Sequence, residues 1–208
     1  MNQVFRFCAT SMVGIAMFCS ANAGTPLQDL QQKLSSFQGM SANFQQALFS
    51  DKRLPARKSS GKMAVLRPGK FRWETQKPNE QILVADGNLL WIYDIDLEQA
   101  TKQKVDTTDS NSPALFLSGN VNDIPKRFNV ISETVPNGAG YKLAAKSSDD
   151  MFQSISIIFQ ADKLSKMVVN TRIGQRSEFT FSQVEINPKF STSIFHFKPP
   201  AGVDVLTN

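Results

Sequence analysis

The sequence predicts an α+β protein that is mostly antiparallel β, built as one curved sheet with a few short helices on it. Along most of the chain, apolar and polar residues alternate with the period of a β-strand that buries one face. Turn residues recur about every 8–12 residues, as they do in antiparallel sheets. Helical signals are confined mainly to segments 25–38 and 112–119. We find no internal repeat and no linker, so we expect a single domain.

Residues 67–93 are the most informative stretch. They read RPGKFRWETQKPNEQILVADGNLLWIY, in which Phe71 and Trp73 alternate with polar neighbours as in a strand with one apolar face. An Asp-Gly pair then supplies the turn chemistry of a tight hairpin, and a further strand returns through Trp91. Large aromatic side chains on a curved sheet are typical both of an ordinary core and of a cavity wall. The pattern alone leaves these two interpretations open.

The first helix is predicted at residues 25–38. Thr25 is a suitable N-cap, Pro26 fits the first helical position, and Gln28 completes a capping box. An apolar stripe follows, and Gly39 is expected to end the helix. The stripe consists of Leu27, Leu30, Leu34 and Phe37. Because only one side of this helix is apolar, we expect that side to cover the sheet.

A second, shorter helix is predicted at residues 112–119, which read SPALFLSG. A capping serine, a proline in the first turn and a final glycine enclose four apolar residues. A further helical turn is predicted between Asn122 and Arg127. The other segments are predicted to be strands, with bounds 42–49, 61–66, 98–105, 128–133, 141–146, 152–159, 164–171, 177–185 and 194–197.

The N-terminus has the pattern of a secretory signal peptide. One charged residue, Arg6, precedes a mostly apolar run at 7–18, and residues 21–23 read ANA, an A-x-A cleavage site. The run is too short to span a bilayer comfortably. We therefore predict that residues 1–23 are removed, which leaves 24–208 as one exported, soluble domain.

Both cysteines lie in this predicted signal segment, so the mature chain has no disulfide to stabilise it. A bacterial lipoprotein signal has a small residue before its acylated cysteine, whereas Phe18 stands before Cys19. The sequence therefore favours a soluble exported protein over a lipid-anchored one.

The basic excess of the chain is mild, with a formal net charge of +5. Its dense part is the pair at 52–53 and the pair Arg57-Lys58, in a predicted loop. A solvated loop is one interpretation, and a docking surface for an acidic partner or for anionic lipid headgroups is the other. The export signal, together with the absence of a recognisable nucleic-acid-binding motif, argues against a nucleic-acid partner.

The residue inventory argues against an enzyme. His196 is the single histidine, and a mature chain without cysteine lacks the usual ligands of a zinc site. We find no phosphate loop, no dinucleotide motif and no nucleophile elbow. The closest approach to a carboxylate pair, Asp94 and Asp96, lies in a predicted turn. We therefore predict no catalytic residue, no cofactor and no metal.

The apolar inventory is large, and two narrow helices cover it only in part. A curved sheet that extends beyond its helices leaves an apolar inner surface under a thin lid, which is the geometry of a carrier for an apolar ligand. The other interpretation is a filled core in which Phe71, Trp73, Trp91 and residues 115–117 pack together. Composition does not decide between them.

Specific segments indicate a family. RPGKFRW at 67–73 and VADGNLLWIYDIDLEQ at 84–99 closely resemble the periplasmic outer-membrane lipoprotein carrier family, LolA. The first helix, NSPALFLS at 111–118 and FHFKPPAGVDV at 195–205 are similar to the same family, so the resemblance covers essentially the whole mature chain. It implies an unclosed β-barrel with a hydrophobic cavity, covered by a lid of short α-helices.

The resemblance also implies partners. Members of the family take triacylated lipoproteins from an inner-membrane ABC-type complex and deliver them to an outer-membrane receptor, itself a lipoprotein of the same fold. The protein is then expected to be a monomer in the periplasm of a Gram-negative bacterium, and Phe18 before Cys19 favours the soluble carrier over the anchored receptor. The alternative function is a periplasmic regulatory domain of this fold that senses lipids or misfolded proteins.

The resemblance implies roles for individual residues. Arg67 is the motif arginine that latches the lid by hydrogen bonds to the lid backbone, and Phe71 and Trp73 are the motif aromatics. We predict these three as functional positions and place Trp91 on the same cavity wall. The predicted lid residues facing the cavity are Leu30, Leu34, Leu115, Phe116 and Leu117.

Overall fold

The computed structural model describes residues 24–50, 54–105 and 113–207. The predicted signal peptide, the basic pair at 52–53 and the predicted capping residue Ser112 lie outside the described residues. The helices are α1 (Pro26–Ser35), α2 (Pro113–Ser118) and α3 (Ile124–Arg127), with 3-10 turns at Val121–Asp123 and Thr192–Phe195. No helix in these ranges is both long and apolar enough to cross a bilayer.

Twelve strands of the described chain form one sheet. They are β1 (Gly39–Phe49), β2 (Arg57–Leu66), β3 (Lys70–Lys77), β4 (Gln81–Asp86), β5 (Leu89–Asp94), β6 (Gln99–Lys104), β7 (Phe128–Glu133), β8 (Ala139–Ala145), β9 (Phe152–Gln160), β10 (Lys163–Thr171), β11 (Arg176–Ile186) and β12 (Asp204–Thr207). Their order across the sheet is β12-β6-β5-β4-β3-β2-β1-β11-β10-β9-β8-β7.

The sheet is antiparallel and unclosed, as predicted. Every neighbouring pair is antiparallel except β12 with β6. The edges of the sheet are β7 and β12, which pair with β8 and β6 rather than with each other. The predicted fold class, mostly antiparallel strands with few helices, is therefore confirmed.

Helix α1 begins as predicted but ends earlier. Thr25 and Gln28 form the capping box, each side chain accepting a hydrogen bond from the backbone N–H of the other residue, at 3.3 and 2.9 Å. The helix ends at Ser35, and Gly39, predicted to end it, instead begins β1. Asn187 explains the early turn, because its side-chain oxygen accepts hydrogen bonds from the N–H groups of residues 38 and 39, at 2.8 and 3.1 Å.

The helices cover one face of the sheet, which we call the inner face. Strand alternation directs Phe44, Phe71 and Trp73 to it, and these side chains are buried together with apolar residues of α1 and α2. Gly61 makes room for one of these rings, since a Cβ at this position would lie 2.7 Å from Phe44. The largest apolar cluster of the described chain thus lies between the lid helices and the sheet.

The opposite, outer face of β3–β5 is covered by the C-terminal segment. We predicted a strand at 194–197, and this prediction is wrong, because a 3-10 helix ends at Phe195 and residues 196–197 are irregular. Its Ile194 carbonyl accepts a hydrogen bond from Arg72 at 3.4 Å, and Phe195 is buried. Phenylalanines at alternate positions resemble the pattern of a strand, but here the segment packs onto the sheet instead of pairing within it. The chain then forms β12, a strand the sequence did not predict because its four residues are all exposed.

The other predicted strands are found, with bounds that differ by up to four residues. The main difference is in β2, which begins at Arg57. Arg57 and Lys58 were predicted in a loop, whereas they pair with Leu48 and Ala47 of β1. Asp94 has the predicted turn role, since its carboxylate accepts a hydrogen bond from the backbone N–H of residue 97 at 3.1 Å.

Candidate functional site: the lid and the inner face

Arg67 joins both lid helices, α1 and α2, to the sheet. It lies in the turn between β2 and β3, where its Nε donates to the carbonyl of Leu117 in α2 at 3.0 Å. Its Nη1 donates to the carbonyl of Leu34 in α1 and, at 3.2 Å, to that of Phe37 just beyond α1. Two residues on, the N–H of Gly69 donates to the carbonyl of residue 118 at 2.8 Å. One guanidinium therefore links the C-terminal ends of two helices.

The acceptors of Arg67 suit a positive charge. Carbonyl groups at helix C-termini have no partner within the helix and carry partial negative charge, so a cation is favourable there. The guanidinium also lies over the ring of Phe37, 4.5 Å from its centroid. Burial lowers the pKa of Arg67 to about 10. The side chain therefore keeps its charge at neutral pH, and its hydrogen bonds are of the stronger, charge-assisted kind.

The N-terminal part of α1 is held by a different part of the sheet. Asp29, in the first turn, accepts a hydrogen bond from the phenol of Tyr141 in β8. Burial, and then the hydrogen bond to Asp29, raise the pKa of Tyr141, so the phenol remains protonated and can donate. One helical turn further on, Lys33 forms an ion pair of 3.0 Å with Asp162 in the turn between β9 and β10. Helix α1 is thus attached to the β8–β10 region.

The two lid helices rest on different parts of the sheet. Helix α1 packs against β7, whereas α2 packs against β2 and β3. Arg67 bonds to both helices and therefore connects two elements that pack on different strands. Breaking these bonds would remove a shared attachment of α1 and α2 without breaking a strand ladder.

The inner face beneath the lid is aromatic. Phe44 and Trp73 stack with ring centroids 4.2 Å apart, and Phe179 meets Trp73 edge-on at 5.5 Å. Phe71 is fully buried, so it does not lie at the edge of the site. Six of the predicted residues belong to this one cluster: Leu30, Leu34, Phe71, Trp73, Leu115 and Leu117.

The lid is closed in this structure. Phe116, also predicted for the site, is half-buried and packs edge-on against Phe128 at 6.0 Å. These two rings, with Ile124, bound a cavity of about 70 Å³ beside α2. Ordinary ligand sites have volumes of about 300–1,000 Å³. A lipid chain therefore needs α2 to move before it can enter at this point.

The sequence matches a known protein family. The profile of the family described as "Outer membrane lipoprotein carrier protein LolA" matches residues 35–198. The chain belongs to this family.

Two relatives of this LolA-family chain align over most of their lengths. An outer-membrane lipoprotein carrier protein of Legionella pneumophila (strain Corby) is 40% identical over 182 residues, covering 88% of this chain and 90% of the relative. One of Coxiella burnetii (strain RSA 331 / Henzerling II) is 34% identical over 200 residues, covering 94% and 95%. Among solved structures, an uncharacterized conserved protein from Thermus thermophilus has a TM-score of 0.51 at 13% identity, over 87% of this chain and 98% of that one. At this identity the likeness concerns the fold alone.

Trp91 does not lie with the other aromatic residues that the LolA resemblance indicated. We predicted it on the cavity wall, and the structure contradicts this. Across β3, β4 and β5, the inner residue Trp73 pairs with Leu83, and Leu83 pairs with Ile92. Paired residues share a face of the sheet, so Ile92 is on the inner face and its neighbour Trp91 points to the outer face. There it packs against Phe197, with centroids 5.5 Å apart. The two tryptophans of this LolA-family chain are therefore on opposite faces of the sheet.

Other residues of the site were missed from the sequence. Phe44 and Phe179 lie in predicted strands, and their alternation with polar neighbours could have placed them on the buried face. Asp29 and Tyr141 gave no such signal, because their contact joins positions 112 residues apart. Only the fold brings them together.

Proposed function

We propose that this protein carries lipoproteins through the periplasm of a Gram-negative bacterium and shelters their acyl chains between the lid and the inner face. The observation that carries the proposal is the lid itself. Two helices with apolar undersides cover an aromatic sheet and are fastened by hydrogen bonds from Arg67. Membership of the LolA family, and relatives named outer-membrane lipoprotein carrier proteins, support the choice of cargo.

The free energy of hydrating acyl chains explains why a carrier is needed. Burying one methylene is worth about 0.8 kcal/mol, so exposing three acyl chains to water costs on the order of 30 kcal/mol. An apolar interior makes both the loading and the delivery step a transfer between apolar surroundings. Each net step is then small, and the carrier needs no catalytic residue, cofactor or metal of its own.

The lid has to open for little free energy. A hydrogen bond to a charged group contributes about 1.5–3 kcal/mol net, so a few bonds from Arg67 form a reversible latch. Acyl chains that enter replace the contacts that Leu34 and Leu117 make with the aromatic cluster. Apolar surface therefore stays covered in both the empty and the loaded state.

The proposed route has two partners that the family resemblance implies. Triacylated lipoproteins arrive from an inner-membrane ABC-type lipoprotein-releasing complex. The carrier then delivers them to an outer-membrane receptor that is itself a lipoprotein. In this proposal residues 1–23 direct export and are removed, and residues 24–208 act as a monomeric carrier domain.

A regulatory domain that senses lipids or misfolded proteins is not favoured. The relatives that cover 88% and 94% of this chain are both named carriers. A pull-down from periplasm that recovers a regulatory membrane protein, and no acylated polypeptide, would reverse this preference.

The carrier proposal is tested with a purified triacylated lipoprotein. The exported protein and the lipoprotein are mixed in detergent, the detergent is removed, and complexes are weighed by native mass spectrometry. We expect a soluble one-to-one complex with the acylated form. The same lipoprotein with its acylated cysteine replaced by serine is the control and should not be retained. Precipitation of the acylated form, or equal retention of both, would refute the proposal.

A further inference from the structure

One end of the sheet carries an unusual set of exposed apolar side chains. Antiparallel pairing brings the connections after β1, β3, β5, β8 and β10 to the same end. Four of these five connections have a large apolar residue that is exposed to solvent. The residues and their exposed fractions are Leu54 (59%), Leu97 (69%), Met151 (38%) and Ile173 (72%).

Three of these residues lie on adjacent hairpins. Leu54 precedes β2, Met151 precedes β9, and Ile173 lies between β10 and β11. The strands β2, β1, β11, β10, β9 and β8 are consecutive in the sheet. The N–H of Arg172 donates to the carbonyl of Met151 at 3.1 Å, which holds two of the tips side by side. We call Leu54, Met151 and Ile173 the rim.

Basic residues stand near the rim residues along the chain. Arg57 and Lys58 follow Leu54 at the start of β2, and both are exposed. No carboxylate of the described residues pairs with either one. Arg172 adds a further positive charge next to Ile173. The tip that carries Leu97 is different, because acidic residues stand on both sides of it, and we leave it out of the rim.

The acidic groups near the rim are largely compensated. Asp150, next to Met151, is held by Arg127 at 2.8 Å. Glu178 in β11 accepts hydrogen bonds from two cations, which lower its pKa. Asp149 is the exposed acidic residue of the Met151 connection. The local balance around the rim is therefore positive.

The inner face opens at this same end. A groove of about 500 Å³ lies there, lined by Leu48, Arg57, Thr75, Gln81 and other residues of β1–β5. The rim residue Leu54 lies between β1 and β2, two strands that line this groove. A surface that contacts the rim is thus brought close to the open end of the inner face.

We propose that the rim docks this protein on a bilayer surface containing anionic phospholipid. Single apolar side chains on separate turn tips, each close to basic residues, match a headgroup layer, because the apolar tips enter it while the cations remain at the phosphates. A protein partner is better matched by one contiguous apolar patch, and the rim residues are on three separate turns. Docking directs the open groove towards the lipid. It requires no cargo, so it stands apart from the carrier function.

The docking is weak and reversible. Three apolar side chains and a few charges supply less than the two strong signals that a stable membrane anchor needs. Salt weakens it, because the charges act over a Debye length of about 10 Å at 0.1 M salt and about 3 Å at 1 M. Transient contact is what a protein that shuttles between two membranes requires.

The test is vesicle flotation of the complete exported chain without cargo. Vesicles of phosphatidylethanolamine with phosphatidylglycerol are compared with vesicles of phosphatidylcholine. We expect binding to the anionic vesicles alone, and at least about a ten-fold loss in the double variant Leu54→Ser, Ile173→Ser. Ile131→Ser is the matched control, because Ile131 is 58% exposed but lies on the edge strand β7. Lys58→Glu tests the electrostatic part separately and should also weaken binding.

Three results would overturn the proposal. They are equal binding to neutral and anionic vesicles, no binding to anionic vesicles at low salt, and an equal loss in the Ile131→Ser variant. Self-association that disappears in the double variant while vesicle binding is unchanged would assign the rim to a second copy instead. Cargo retention is measured in parallel. Rim variants are expected to keep it, so loss of docking and failure of the carrier function are distinguished.

Discussion

The phenol of Tyr141 donates a hydrogen bond to Asp29, so β8 holds the first turn of α1 while Arg67 holds its last turn. The two attachments differ in what else they bind. Arg67 also bonds to α2, whereas the Tyr141 bond secures α1 alone. Releasing Arg67 therefore loosens α2, which keeps the bond from Gly69 to residue 118, and it loosens the end of α1. Helix α1 stays attached to the β8 side of the sheet.

Tyr141→Phe should change the pH dependence of stability. The raised pKa of Tyr141 means that the folded protein keeps a proton that the unfolded chain loses above about pH 10. The stabilisation from this proton is complete below that pH and is lost as the pH rises further. The free energy of unfolding, measured by urea titration at about pH 8 and about pH 11, should therefore fall more in the wild type than in Tyr141→Phe. Tyr93→Phe, on the outer face, is the control, and equal slopes in wild type and Tyr141→Phe would contradict the prediction.

Arg67→Leu should leave the protein folded and able to accept lipoprotein but slow its release. The latch stabilises the empty, closed state, so losing it raises the free energy of that state and favours the loaded one. If about 1.5–3 kcal/mol is lost, cargo is retained roughly 10–100-fold more tightly. The measurement is transfer from the loaded carrier to the purified receptor.

Two further arginine variants sharpen this experiment. Arg67→Lys keeps a charge but not the fork that reaches both helices, so it should give an intermediate rate. Arg72→Leu removes a neighbouring arginine that contacts Glu74 and residue 194 on the outer face. It should transfer cargo normally. Wild-type kinetics for Arg67→Leu would rule out the latch.

Phe71→Glu should open the lid rather than unfold the sheet. An ionised carboxylate at this fully buried position costs several kcal/mol. Displacing a lid held by a few hydrogen bonds costs less than dismantling the strand ladders, so cargo handling should change more than stability. In a Trp91→Phe background Trp73 is the sole tryptophan, and its fluorescence should shift to longer wavelength. Unchanged fluorescence with a cooperative loss of the β signal in circular dichroism would show that Phe71 is structural core.

Trp91→Ala should lower stability without affecting cargo. The side chain packs under Phe197 on the outer face, so its loss removes buried apolar area there. We expect a loss of about 1–3 kcal/mol in the free energy of unfolding, less than for a fully buried tryptophan because Trp91 is half-buried. Trp73 lies beneath the lid, so Trp73→Ala should lower both stability and cargo retention. Loss of cargo retention by a Trp91→Ala protein that is still folded would refute the assignment of Trp91 to the outer face.

Local patterns sufficed for much of the fold. The capping box of α1 and the Asp-Gly hairpin turn are contained within a few consecutive residues, and both were predicted. Arg67, Phe71 and Trp73 were found because they share one short motif that resembles a family. The structure places these three beside the lid, while their functional roles remain predictions.

The remaining features depend on contacts that sequence patterns do not show. The face of Trp91 was mispredicted because the register of the β4–β5 hairpin, not the local pattern, decides which face a residue takes. The strand predicted around Phe195 failed because alternating phenylalanines, here one buried and one half-buried, fit a segment lying on a sheet as well as a strand within one. The attachment of α1 by Tyr141 joins distant positions and requires the completed fold.

The separation of β7 from β12 has a consequence for what the interior accommodates. A closed barrel has a circumference fixed by its strand number and stagger. This sheet has two edges instead, so a small change of twist in each strand pair widens or narrows the interior while the ladders stay intact. Its capacity is therefore adjustable, and hydrocarbon tails that differ in length or saturation require no change of sequence.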